Sequence, residues 1–158
     1  MKRKLALAVL ALGCAVEARA QDLPPGRLYA AQAIGMCLDL HEDPQAKVNA
    51  PSPFALNPQG YLLAQDRGVL VGIRAAQEYD EEFDEVSGAC EVQVEGDVPW
   101  FADFAATQVY DLKSLGWDVA EHETGLENGV QTFSLVGYGS IKIRYGVGKP
   151  NAMFVMRW

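Results

Sequence analysis

The chain has 158 residues, with thirteen Lys and Arg against twenty-one Asp and Glu, a formal charge of −8 and 49% hydrophobic residues. That balance speaks against nucleic acid and anionic membrane surfaces as partners, because both reward clustered Lys and Arg. The length suits one domain, which at this size buries roughly two-thirds of the surface exposed by its unfolded chain.

Residues 1–20 have the grammar of a removable secretory signal. Lys2, Arg3 and Lys4 form a cationic start, Leu5 to Leu12 an apolar run, and Ala18-Arg19-Ala20 a small-x-small cleavage pattern. The run is shorter than the roughly 20 apolar residues of a membrane-spanning helix. Cys14 offers a lipoprotein alternative, but Ala11 stands where such signals usually place Leu. Cleavage after Ala20 is the expectation, leaving one exported domain over 21–158, in the periplasm or secreted, with no integral membrane segment. The signal holds four basic side chains and one acidic one, so the mature chain keeps nine basic against twenty acidic and a formal charge of −11. Such a charge suits a basic protein as partner.

In chain order, Pro24-Pro25-Gly26 reads as an exposed start, and Leu28 to His41 as a helix with Ala30, Ala33, Ile34 and Cys37 on one stripe. Glu42 to Gly60 carries four prolines and reads as a long loop. Tyr61 to Ala64 and Gly68 to Ile73 read as strands around a turn at Gln65-Asp66-Arg67-Gly68. Ala89 to Glu95 alternates as a half-buried strand with Cys90 inward. A second helix is expected with Asp97 as cap, Pro99 in the first turn and Gly116 at its end. Four short strands follow, at Trp117 to Glu121, Val130 to Val136, Ser140 to Val147 and Ala152 to Trp158. The expected class is α+β, two helices packed on a predominantly antiparallel sheet in the order helix–strands–helix–strands. A crude duplication is conceivable, without a matched sequence repeat to establish it. The alternation up to Trp158 also fits the closing strand of an outer-membrane barrel, but the capped helix and the cysteine pairing favour a sheet clamped by Trp158.

Removal of Cys14 with the signal leaves Cys37 and Cys90, an even pair in an oxidising compartment and therefore an expected disulfide. The competing use of Cys37, with His41 four residues on, needs a free thiol and lacks further clustered ligands.

The most conspicuous polar segment is Glu78-Tyr79-Asp80-Glu81-Glu82-Phe83-Asp84-Glu85. Its carboxylates repel one another, so it is expected extended and exposed unless a cationic partner neutralises it, while Tyr79 and Phe83 offer apolar contact. The plain alternative is a solvated loop. It lacks the spacing of an EF-hand. Catalytic grammar is thin: there are two histidines, His41 and His122, and no nucleophile elbow, zinc-protease, phosphate-loop or dinucleotide fingerprint. No metal or cofactor is expected. The sequence therefore points to a non-catalytic binding or inhibitory protein. The alternatives are a small hydrolase built on convergent carboxylates or His122, and an accessory subunit of an envelope complex.

Overall fold

A computed structural model describes residues 23–43, 51–80, 85–122, 129–135, 139–145 and 151–158; the predicted signal lies outside them. The elements run α1 (Pro25–Glu42), β1 (Ala55–Leu56), β2 (Leu62–Asp66), β3 (Val69–Asp80), β4 (Glu85–Glu95), α2 (Val98–Ser114), β5 (Val119–His122), β6 (Val130–Leu135), β7 (Gly139–Arg144) and β8 (Asn151–Arg157). This is the expected α+β order. The strands form one eight-stranded sheet, β1-β2-β3-β4-β8-β7-β6-β5, with every neighbouring pair antiparallel. The order is palindromic: each helix is followed by a four-strand meander, and the meanders join where β4 pairs with β8. The topology is thus duplicated although the sequence shows no repeat.

Helix α1 starts at Pro25, three residues before the sequence reading placed it, because proline is tolerated in a first turn where the backbone N–H has no partner to lose. Gly26 is inside the helix rather than in an exposed lead. A Cβ there would stand 2.7 Å from Val69 Cβ, so the helix start presses directly onto β3. Ala30, Ala33, Ile34 and Cys37 are buried along the predicted stripe. The small alanines let the helix axis approach the sheet. The proline-rich stretch expected as loop contains the short strand β1, paired to β2, and its Phe54 ring meets Tyr29 of α1 edge-on at 6.0 Å.

The first hairpin turns on Arg67 and Gly68, with φ of 46° and 84°, between the closing pair Asp66 and Val69. Two residues at positive φ give the turn the twist that an antiparallel hairpin requires. Strands β3 and β4 are much longer than the sequence suggested. They pair continuously from Leu70 opposite Glu95 to Asp80 opposite Glu85.

Helix α2 buries Phe101, Ala105, Val109 and Leu112 at helical spacing. Asp97 stands at the N-cap, where its carbonyl accepts from the Phe101 N–H, but its side chain makes no capping bond. Its carboxylate instead takes a 2.6 Å hydrogen bond from Arg27 Nε, whose guanidinium lies 4.9 Å from the centre of the Trp100 ring. The long Arg27 side chain draws that carboxylate away from the helix and ties the starts of α1 and α2 together. The far end behaves as predicted: Gly116 takes φ 92°, the Gly116 N–H bonds Lys113 O, and the Trp117 N–H bonds Leu112 O. That pair of bonds satisfies carbonyls that a helix end would otherwise leave open.

The last strand lies in the middle of the sheet, and Trp158 continues its ladder through reciprocal backbone bonds with Gly88 of 3.0 and 3.1 Å. The indole covers the Gly88 backbone so closely that any Cβ there would collide with it. Among the described residues the sheet ends at β1 and β5 without closing, and both helices lie against it. Among the described residues no helix is long and apolar enough to cross a membrane. The core is sealed by the predicted disulfide, Cys37 to Cys90, with a Cα–Cα distance of 5.4 Å and both residues fully buried.

Replacing Cys90 with Ser should lower unfolding stability by about 2–5 kcal/mol, because the bridge closes 53 residues of otherwise free chain. Denaturant melts of the variant against the oxidised protein measure this. Equal midpoints for the two would contradict it.

Candidate functional site

Both helices pack against one face of the sheet. On that face Val71, Ile73, Cys90, Val92, Val94, Ile141, Ile143, Ala152, Phe154 and Met156 are buried. The residues between them along each strand point the other way, since successive side chains alternate across a pleated sheet. Neither described helix covers that face, and the strand register arranges it in rows. One row runs Leu63, Gly72, Gln93, Met153, Arg144, Val130, and the next runs Arg74, Glu91, Val155, Lys142, Thr132.

In the β1–β4 half, three side chains form a connected cluster. The Tyr61 hydroxyl donates to Glu91 Oε1 at 2.8 Å, Arg74 NH2 lies 3.4 Å from Glu91 Oε2, and the Arg74 guanidinium sits 4.8 Å from the centre of the Tyr61 ring. The hydrogen bond to Glu91 raises the Tyr61 pKa above 10.0, helped by desolvation and the Glu91 charge and opposed by Arg74. Next to this cluster is a shallow hollow of about 260 Å³ bordered by Tyr61, Leu63, Gln93 and Glu95. Tyr and Arg held in place by neighbours are side chains that interfaces favour, because little further entropy is lost on contact.

The acidic segment occupies the far end of the β3–β4 hairpin. Glu78, Tyr79 and Asp80 close β3, Glu85 opens β4, and Glu81, Glu82, Phe83 and Asp84 lie outside the described residues. Four of its eight residues thus belong to paired strands, which the sequence reading had ended at Ile73 and begun at Ala89. Strand β2 accompanies β3 only to Ile73, and β8 accompanies β4 only as far as Gly88. Past Ile73 the hairpin loses its β2 neighbour, leaving Ala76, Gln77 and Glu78 exposed, and past Gly88 it runs on as a two-stranded arm of three residue pairs, from Glu78 with Ser87 to Asp80 with Glu85. Those pairs extend the arm by roughly 10 Å at the usual rise per residue. Clustered carboxylates on so exposed a ribbon also discourage edge-to-edge pairing with other chains.

Strands β6–β8 have opposite chemistry. Strands β6, β7 and β8 contain no acidic residue, and Lys142, Arg144 and Arg157 are exposed on them.

Cys37 is held in the disulfide. His41 is buried near the end of α1, its ring 5.2 Å from Trp117 and 5.9 Å from Trp158. His122 ends β5, the strand at the sheet's outer edge, and pairs through its backbone with Thr132. Among the described residues no group of three His, Cys, Asp or Glu is placed to hold a metal ion. Sequence reasoning missed the Tyr61–Arg74–Glu91 cluster. Its signal was the hairpin register, in which residues 74 and 91 are as symmetric about the acidic segment as 80 and 85. Comparisons with protein-family models, with curated proteins and with solved structures find no match.

The Tyr61 hydrogen bond gives a titration test. A folded pKa raised above the unfolded one means that the contribution to stability is fully present below pH 10.0 and fades as pH rises through the folded value. In an ultraviolet phenolate titration, Glu91→Gln should move the Tyr61 transition down toward 10.0, and Tyr61→Phe should remove it. A Tyr61 transition unchanged by Glu91→Gln would contradict the assignment of its cause.

Proposed function

We propose that the protein is a non-catalytic binding or inhibitory protein, exported to the periplasm or cell exterior, that recognises a basic protein partner. The observation that carries this reading is the projecting β3–β4 arm, whose end bears six carboxylates in the eight residues 78–85. A surface of this kind speeds encounter with a cationic patch and sets its orientation, while Tyr79 and Phe83 supply apolar contact once water is excluded. The adjoining open face supports the same reading, since Tyr61 and Arg74 are already held in place beside the base of the arm. The predicted signal and the buried disulfide fit a protein that folds in an oxidising compartment.

A partner captured from envelope extracts allows the reading to be tested by kinetics. Neutralising Asp80, Glu81, Glu82 and Asp84 to Asn and Gln should slow association by roughly tenfold at low salt, with little change in dissociation or in fold stability. The difference should shrink as ionic strength rises, because exposed charges are screened over about 8–10 Å near physiological salt. Association at the wild-type rate at every salt concentration would refute the arm as the recognition element.

A further inference from the structure

We infer that the basic hollow on the open face of β6, β7 and β8 binds a small anionic ligand, one with a phosphate or carboxylate group on a largely apolar body. The hollow has a volume of about 390 Å³ and is bordered by Val130, Lys142, Arg144, Tyr145, Asn151 and Met153. That volume lies near the lower end of the range for small-molecule sites, roughly 300–1,000 Å³.

Charge placement is the first argument. The chain carries twenty-one carboxylates against thirteen Lys and Arg, yet the three strands under the hollow carry none. Lys142 and Arg144 are two residues apart on β7, so they share a face roughly 7 Å apart along the strand. Neither makes an ion pair among the described residues. Two like charges this close repel each other, and an acidic chain has ample means to neutralise them. Placing them together with no acidic partner among the described residues suits an anion supplied from outside. The chemistry is matched: a guanidinium offers a planar fork to two oxygens, and an ammonium adds a point charge beside it.

The walls supply the second argument. Arg144 is flanked across the sheet by Val130 on β6 and Met153 on β8. An apolar body attached to the anionic group would therefore lie on aliphatic surface. Asn151 and Tyr145 border the same hollow and can donate neutral hydrogen bonds. The Tyr145 N–H bonds Gly129 O at 2.7 Å, which fixes that rim to the start of β6. Two cations over so short a span fall well short of the basic track that a nucleic acid requires.

The test uses the full exported chain, labelled for amide nuclear magnetic resonance and titrated at constant ionic strength with inorganic phosphate and with phenyl phosphate. Both should produce saturable shifts centred on Gly129, Arg144, Asn151 and Met153. Phenyl phosphate should bind about fivefold more tightly, because its ring covers apolar surface at Val130 and Met153. Vesicles of anionic phospholipid, added in place of phenyl phosphate, distinguish a lipid headgroup from a free ligand of the same chemistry. Arg144→Ser should weaken binding about fivefold or more, and Lys142→Ser gives a second reading should the first variant lose its native spectrum. Lys113→Ser, which removes one exposed charge from α2, should change nothing. Shifts that are diffuse or do not saturate, or an equal loss in Lys113→Ser, would overturn the site and leave only a general response to salt.

Discussion

Pairing of β4 with β8 is the constraint on which the rest of the structure depends. Among the described residues it is the only link between the two meanders within the sheet, and it sets Cys90 opposite Met156, Val92 opposite Phe154 and Val94 opposite Ala152. All six side chains face the helices and are buried. The disulfide fastens α1 to this same seam at Cys90, and Trp158 extends the seam by one further pair with Gly88. On the helix side the Arg27–Asp97 ion pair joins the two units again. The seam joins residues 56 to 68 positions apart, from Glu95 with Asn151 to Ala89 with Arg157, so the sheet becomes continuous only when segments far apart in sequence have met. Such non-local pairing carries a large loop-closure cost, which the buried apolar rows and the disulfide offset.

The seam is also a boundary in charge. Strands β3 and β4 on one side carry Glu78, Asp80, Glu85, Glu91 and Glu95, whereas β6, β7 and β8 on the other carry only basic charge. Net charge alone, strongly negative, gave no hint of this division. A uniformly acidic surface would attract cations without orienting them. A face divided into two signs has a direction, so any partner or ligand that meets it is aligned as well as attracted. The acidic arm and the basic hollow are thus separate features of one surface. Their proposed roles rest on different residues.

Much of this fold was legible because it follows from local periodicity. The stripe ending in Cys37, the apolar face from Phe101 to Leu112, the Gly116 stop and the alternation of Ile141 and Ile143 with Lys142 and Arg144 all state which side is buried. The cysteine pairing followed from parity and inward-facing positions. What local pattern could not supply was register. Ending one hairpin strand at Ile73 and starting the other at Ala89 cut both short, and with them went the contact of Arg74 with Glu91. Alternation on β7 displayed Lys142 and Arg144, but only the placement of β8 beside it brings Met153 and Asn151 to the same hollow. Asp97 shows the opposite failure: a residue with the right chemistry for a cap was claimed by Arg27, seventy positions away.

Amide hydrogen exchange of the free protein tests the seam most directly. Exchange of the most protected amides requires global unfolding, while weakly supported segments open locally. The account predicts that amides of Cys90 to Val94 and of Ala152 to Met156 exchange together in the slowest class. Amides of Glu78 to Asp80 on the arm should exchange well ahead of them. A slow class confined to β1–β4, with β5–β8 exchanging as a separate and faster unit, would contradict a sheet held together at β4 and β8.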